Sequence, residues 1–318
     1  LAKGDTIVFD KTGTLTHATP TVVDVVPFGG RNADDVLRIA ACLEEHYPHS
    51  MANAVVQAAA QKGINHEEMH SEVQYVVAHG IASSVAGEKV VIGSQHFVFE
   101  DEGCYIPTSE SNKFDALPPE YSHLYLAIGG ELAGVICIAD PLREEAADVL
   151  KALRGLGIRK AVMMTGDNDR TASVIAKQVG VDAYYAEVLP EDKARFVEQE
   201  KAAGHTVIML GDGINDSPAL SAADVGIAIS DGAAIAREIA DVTVAADSLN
   251  ELVILKCIAN GLQKRTHDNY RFIMGFNSTL IVLGAMGILQ PATSALLHNA
   301  STLAISLKSM TNLLDEYK

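Results

Sequence analysis

A short apolar run, Thr6–Phe9, ends directly in Asp10 and a glycine-bearing turn, Asp10-Lys-Thr-Gly-Thr-Leu-Thr16. Such a run reads as a buried strand of a parallel sheet, because those strands are covered on both faces and rich in β-branched residues. Gly13 lets the backbone turn at once. Asp10 is therefore expected at the carboxyl end of a strand, where open α/β sheets bind ligands. A carboxylate placed there can attack a phosphoryl group and carry it as an aspartyl-phosphate. A strand-end turn with an incidental Asp is the bland alternative, so the rest of the chain has to decide.

From Val135 the chain alternates strand-like and helical patterns. Val135–Ala139 ends in Asp140-Pro-Leu-Arg143, Glu144–Leu156 is helical, and Lys160–Met164 precedes Thr165-Gly-Asp-Asn168 and a helix through Ala172 and Ile175. Thr206–Leu210 runs into Gly211-Asp-Gly-Ile-Asn-Asp-Ser-Pro-Ala-Leu220, and Val225–Ile229 and Val242–Val244 follow. The alternation predicts an α/β parallel sheet with helices on both faces. A hydroxyl and backbone N–H groups at a helix start make an anion site, which points to Thr165, with Gly166 and Asp167 beside it. Asp212 and Asp216, four apart on a glycine-rich turn, suit magnesium held by few protein ligands and phosphate. The cation is needed because Asp10 must approach an anionic phosphate.

The unbroken Asp-Lys-Thr-Gly-Thr-Leu-Thr of residues 10–16, with Thr165-Gly-Asp167 and the run 211–220 in that order, resembles the P-type ATPases, ion pumps of the haloacid dehalogenase superfamily, and among them the heavy-metal (P1B-type) pumps. The resemblance implies a Rossmann-like catalytic (P) domain from residues 1–19 and 134–262. It implies an inserted α+β nucleotide-binding domain over 20–133 and two transmembrane helices over 268–314. It also implies Asp10, Lys11 and Thr12 as catalytic residues, Lys193 of Pro190-Glu-Asp-Lys193 on the phosphoryl oxygens, and magnesium on Asp10, the Thr12 carbonyl, Asp212 and Asp216, with Asn215 supporting the loop. Thr12 stands where soluble phosphatases of the superfamily have a second Asp as general acid and base. Without that base, water attacks an aspartyl-phosphate slowly.

Within 20–133, strands are expected at Thr21–Phe28, Val73–Val77, Ile81–Val85, Lys89–Ile92 and Leu124–Ile128, and helices at Asp34–Glu45 and Met51–Lys62. Glu100–Ser122 is expected to be a loop. By the resemblance, ATP binds here through Glu44 and His49, with Ser50 replacing the family's Pro and His46 a competing candidate. Ala78-His79-Gly80 stands at the family's G-x-G, and Val91-Ile-Gly93-Ser94 at its V-x-G-N. Arg143 is the expected nucleotide contact near the hinge, where Pro141 stiffens the chain.

Phe272–Leu289 and Pro291–Leu307 are uncharged runs of 18 and 17 residues. The first would span about 27 Å as a helix, near the thickness of a bilayer core. Lys264, Arg265 and Arg271 before the pair and Lys308 after it predict two transmembrane helices with both ends in the cytoplasm; a buried hairpin is the alternative. Asn277, His298 and Asn299 lie in these runs. They read equally as ligands for a transported metal, as the resemblance implies, or as interhelical hydrogen-bonding groups.

The net charge of −17, from 24 Lys+Arg against 41 Asp+Glu, argues against a nucleic-acid partner. Cys42, Cys104, Cys137 and Cys257 are widely spaced and suggest neither disulfides nor a thiolate site. The expectation is thus the C-terminal catalytic part of a larger cell-membrane pump, its catalytic and nucleotide-binding domains cytoplasmic. Its partners would be ATP, Mg²⁺, a transition-metal ion and lipid. A soluble phosphatase of the superfamily and a non-transporting ATP-binding remnant are the competing readings.

Overall fold

The computed structural model describes all residues except 18, 46–49, 65–73, 77–79, 86, 213–215, 230–237, 246–247 and 314–318. It contains two compact units, Gly4–Leu249 on the one hand and Leu1–Lys3 with Asn250–Lys318 on the other.

In the larger unit β1 (Thr6–Asp10) is followed by an insertion: β2 (Thr21–Pro27), α1 (Ala33–Glu44), α2 (Ser50–Gln61), β3 (Gln74–Val76), β4 (Gly80–Val85), β5 (Glu88–Gly93), α3 (Ser111–Asp115), β6 (Ser122–Ile128) and β7 (Glu131–Ala139). The catalytic domain then resumes with α4 (Ala146–Gly155), β8 (Lys160–Met164), α5 (Asp169–Val179), β9 (Ala183–Tyr185), α6 (Pro190–Ala202), β10 (Val207–Gly211), α7 (Ser217–Ala222), β11 (Val225–Ile229) and β12 (Val242–Val244).

The catalytic sheet is parallel throughout, in the order β12-β11-β10-β1-β8-β9. β1 and β10 are buried along their whole length, as central parallel strands must be. Val8, Val162, Val207 and Met209 pack with Val197 of α6 and Ala219 and Leu220 of α7. From β1 the chain first adds β8 and β9 on one side, then returns to add β10 on the other. That reversal leaves a crevice at the carboxyl ends of β1 and β10, where the Asp10 turn and Gly211 and Asp212 emerge.

The insertion is an antiparallel sheet in the order β2-β7-β6-β5-β4-β3. β7 corrects one expectation. Val135–Ala139, read as the first strand of the resumed parallel sheet, instead pairs with β2 and β6. The run is apolar at every position because both its faces are covered. Ile136 and Ile138 pack under α1 and α2 with Leu37, Ala40 and Val55, while Val135 and Cys137 face Phe28, Phe97 and Leu117. The segment expected to be a featureless loop thus supplies the second covering layer, with α3 inside it. α1 begins as its sequence suggests: the Asn32 side chain accepts a hydrogen bond from the Asp34 N–H at 2.9 Å, with Asp34 and Asp35 in the first turn.

The chain crosses between the two sheets twice, and the crossings are tied together. Thr16 and Leu142 form an antiparallel bridge, the His17 N–H donates to the Pro141 carbonyl at 3.3 Å, and the Arg143 N–H to that of Leu15 at 2.9 Å.

The smaller unit is a helical hairpin, α8 (Asn250–Ala285) and α9 (Pro291–Ser309). Arg265 Nη1 donates to the Thr311 carbonyl at 2.6 Å, and Asn269 Nδ2 to Ser309 Oγ at 3.0 Å. α8 runs unbroken through the boundary expected at residues 262–268. The helix ends at Ala285, so the last four residues of the first apolar run, Met286–Leu289, lie in the turn. Among the described residues no helix is long and apolar enough to cross a membrane. Because the first helix ends at Ala285, a membrane-length stretch of it takes in Asp268, Asn269 and Arg271, while His298, Asn299, Ser301 and Thr302 dilute the apolar character of the second. Large apolar side chains nevertheless point outward, Ile281 at 72% and Leu296 at 68% exposure among them.

Candidate active site

Asp10 ends β1 and is 7% exposed. Two elements converge on it. Lys193, in the first turn of α6, places Nζ 2.6 Å from Asp10 Oδ1 and 2.8 Å from Asp216 Oδ1. Asp216 immediately precedes α7 and is itself buried. Gly211 makes room for it, since a Cβ there would lie 2.3 Å from Asp216 Oδ2.

Burial pushes the Asp10 carboxyl up to about 7, and the charges of Asp216 and Asp212 add to this against the pull of Lys193. Burial works against the Lys193 ammonium, yet Asp10 and Asp216 hold it above its ordinary range. One cation is therefore shared by the two carboxylates of Asp10 and Asp216, with the charge of Asp212 also acting on Asp10. Asp216 Oδ2 is buried without a hydrogen-bond partner among the described residues, a costly arrangement unless something completes it. The cluster thus fits the oxygen-ligated magnesium expected on Asp10, Asp212 and Asp216. Thr12 is half-buried in the turn with φ −73° and ψ 126°, followed by Gly13 at φ 75°. Asn215 lies outside the described residues.

Lys11 belongs to a second cluster. Its Nζ donates to Asp167 Oδ2 at 2.7 Å and to Ser122 Oγ at 2.8 Å, and lies 3.6 Å from Asp140 Oδ2. Burial opposes the ammonium, but Asp167 and Asp140 hold its pKa above the usual value. Burial likewise raises Asp140, whereas for Asp167 the Lys11 charge and its hydrogen bond outweigh burial and hold the carboxyl low. Thr165 follows Met164, the register partner of Asp10. Its hydroxyl accepts from the Asp167 N–H at 3.1 Å and lies 3.1 Å from Asp167 Oδ2. Gly166 is exposed, with open space where a Cβ would stand. Thr165, Asp167 and Lys11 are thereby brought together beside Asp10.

Three participants came without a sequence signal. Ser122, the first residue of β6, brings the insertion into the Lys11 cluster. His123 and Tyr125 of the same strand meet Asn168, whose Nδ2 lies 3.3 Å from both Tyr125 Oη and His123 Nδ1.

In the insertion, Glu44 is buried at the end of α1, while His46, Ala78 and His79, as well as His49, lie outside the described residues. Gly80 and Gly93 face each other across β4 and β5. Gly80 is obligatory, since a Cβ would fall 2.4 Å from the Ile92 carbonyl oxygen and from Phe97 Cδ1. Ser94, standing for the family's Asn, accepts from the Phe97 N–H at 3.2 Å and so caps the turn that follows. Arg143 is 3% exposed, and its Nε donates to the carbonyls of Thr14 and Thr16 at 3.0 and 3.1 Å. This geometry makes it a clamp on the crossing. In the hairpin, His298 Nδ1 and Asn277 Oδ1 are 2.9 Å apart, and Asn299 is exposed.

A family model for haloacid dehalogenase-like hydrolases matches residues 5–224. The chain is 37% identical over 308 residues to a zinc-exporting P-type ATPase of Mycobacterium marinum, covering 96% of this chain and 42% of that protein. It is 35% identical over 312 residues to a copper-transporting P-type ATPase of Rhizobium leguminosarum bv. viciae, covering 98% and 36%. It therefore spans less than half the length of these curated relatives. Among solved structures, a zinc-transporting PIB-type ATPase in its E2.Pi state is similar over 97% of this chain and 50% of its own, with a TM-score of 0.63 and 28% identity. The catalytic domain of the CPx-ATPase CopB-B is similar over 80% and 89%, with a TM-score of 0.65 and 27% identity. With its doubly wound parallel sheet, the carboxylates at its carboxyl edge and a family match over more than half its length, the chain belongs to the haloacid dehalogenase-like hydrolases, in the branch that resembles metal-exporting P-type ATPases.

Proposed function

We propose that this chain is the catalytic part of an ATP-driven transition-metal exporter that works through an aspartyl-phosphate on Asp10. The observation that carries the reading is the convergence of Asp10, Lys193 and Asp216 within hydrogen-bonding distance in a buried pocket. Asp10 supplies the carboxylate oxygen that bonds to the γ-phosphorus of ATP while the bond to the β–γ bridging oxygen breaks and ADP leaves. Lys193 and the Thr165 hydroxyl are the groups that stabilise charge on the phosphoryl oxygens. Magnesium, held when bound by Asp10, Asp212, Asp216 and the Thr12 carbonyl, would neutralise phosphate charge. Thr12 offers no carboxylate to activate water, which favours a phosphoenzyme that persists.

The insertion would present ATP through Glu44, His49 and the Gly80–Gly93–Ser94 corner, where backbone without side chains can approach a flat base. Arg143 would reach nucleotide only indirectly, through the crossing that it clamps. The outward apolar side chains of α8 and α9 support a bilayer contact for the hairpin. The Asn277–His298 pair is the place in it where a metal could exchange for a hydrogen bond. Zinc, manganese and copper are the metals named for the similar P-type ATPases.

Incubation with γ-labelled ATP and Mg²⁺ tests the core of the proposal. An acid-stable label is expected on the wild type and none on Asp10→Asn. Label that survives the substitution would sink the aspartyl-phosphate, and rapid phosphate release without a label would favour a soluble phosphatase.

A further inference from the structure

Away from the catalytic pocket, side chains from both domains of the larger unit meet around a single imidazole. His96 stands at the entry to the turn Phe97–Asp101 that follows β5, Glu100 lies in that turn, and Glu187 lies between β9 and α6 of the catalytic domain. One ligand atom from each of His96, Glu100 and Glu187 falls within 4.8 Å of the others. His96 Nδ1 is 3.0 Å from Glu100 Oε2, and its Nε2 is 3.5 Å from Asp101 Oδ1. A metal-bound histidine ordinarily has its second nitrogen held by a carboxylate, which fixes the tautomer and ring orientation. Asp101 is a carboxylate on the Nε2 side of the ring, near enough to take that place.

The charge balance points the same way. The charged groups acting on Glu187 are Glu100, Asp169 and His96, and among the described residues no lysine or arginine forms an ion pair with Glu100 or Glu187. Two carboxylates drawn to one imidazole without a basic partner repel each other unless a cation joins them. One nitrogen and two carboxylate oxygens suit zinc or another divalent first-row ion, whereas copper(I) favours sulfur and magnesium favours oxygen alone.

We propose that His96, Glu100 and Glu187 bind a divalent transition-metal ion that clasps the inserted domain to the catalytic domain. Ligand bonds of about 2.0–2.2 Å require the three side chains to draw in by roughly an ångström. Glu100, whose side chain is 66% exposed, is free to adjust. The site is complete only while the two domains are side by side. The ion therefore favours that arrangement by its differential affinity, and a rising metal level acts on the insertion directly, independently of the Asp10 chemistry.

Titration of the whole chain with Co²⁺ in excess Mg²⁺, read by the visible absorption of the bound ion, tests this. The wild type is expected to take up one equivalent that both His96→Ala and Glu187→Gln bind at least about tenfold more weakly. Glu187 has a positive φ of 54°, so Gln keeps the size and backbone demand of the native residue while removing the charge. Equal Co²⁺ binding by all three proteins overturns the site. Loss in His96→Ala with full retention in Glu187→Gln overturns the clasp, because the ion would then belong to the insertion alone. Phosphoenzyme labelling with Mg²⁺ as the only metal is expected to be unchanged in both variants, so this test can fail while the aspartyl-phosphate stands. Equal melting temperatures in chelator would exclude misfolding as the cause of lost binding.

Discussion

Asp10 leaves its mark on stability as well as on chemistry. Its carboxyl is pushed up to about 7 from an ordinary 3.8, so the folded protein holds this proton more tightly than the unfolded chain. Ionisation then costs the native state free energy: the penalty is absent below about 3.8, grows as pH rises towards 7 and is complete above that. Asp10→Asn removes it at every pH. In chelator the variant is expected to melt several degrees higher than the wild type at pH 8 and nearly level with it at pH 4, as followed by circular dichroism. A variant that melts lower at pH 8 would mean that the Lys193 ion pair outweighs burial and repulsion. Two residues on, Thr12 is the position that, on the proposed aspartyl-phosphate, would set its persistence. Thr12→Asp restores a general base beside the phosphoryl group, and the label is expected to decay about 100-fold faster or more in a chase with unlabelled ATP. An unchanged decay rate would move control of lifetime away from this position.

At the scale of elements, β6 binds the insertion to the catalytic chemistry. Its opening residue gives Lys11 a buried acceptor at 2.8 Å. Ser122→Ala leaves an ammonium facing two carboxylates with one bond fewer, which is expected to cost about 1–3 kcal/mol, whereas Ser122→Thr keeps the hydroxyl and most of the stability. Thermal melts of the two variants compare these directly. Nothing in the sequence marked this role, because a serine at a strand start has no spacing to distinguish it. β1, β8 and β10 were legible, since each is a largely apolar run followed in the sequence by Gly, Thr or Asp, and β11 was legible as an apolar run. β7 was legible as a strand but not as to its sheet. Burial on both faces erases the alternation that would separate an antiparallel strand from a parallel one. The layer over 97–121 escaped for another reason. Its apolar residues meet only after several short turns, as Phe99 and Phe114 do at 5.8 Å between ring centroids, and no single period connects them.

For the whole molecule, the motif order anticipated the meeting of Asp10, Lys193 and Asp216, because charge and element end coincide at these motifs. The membrane expectation fared differently: run length and the flanking basic residues suggested two spans, while the turn at Met286–Leu289 and the polar residues within the helices lower what each helix offers to a bilayer. Outward Ile281 and Leu296 give the proposed contact a test. The chain is expected to float with phosphatidylcholine vesicles, and Ile281→Glu with Leu296→Glu is expected to remain in the dense fraction while still accepting the phosphoryl label. Flotation of that double variant would assign lipid binding elsewhere.

The tied crossing has a mechanical meaning. A slack two-strand tether would let the insertion swing without disturbing its host, storing the motion as linker entropy. Here Thr16 is bridged to Leu142, and Arg143 grips the carbonyls of Thr14 and Thr16, so the joint behaves as a stiff axle whose near end lies only four residues past Asp10. Torque applied to the insertion reaches the Asp10 turn instead of dissipating. Conversely, whatever tightens or loosens that turn reads out as an angle of the insertion.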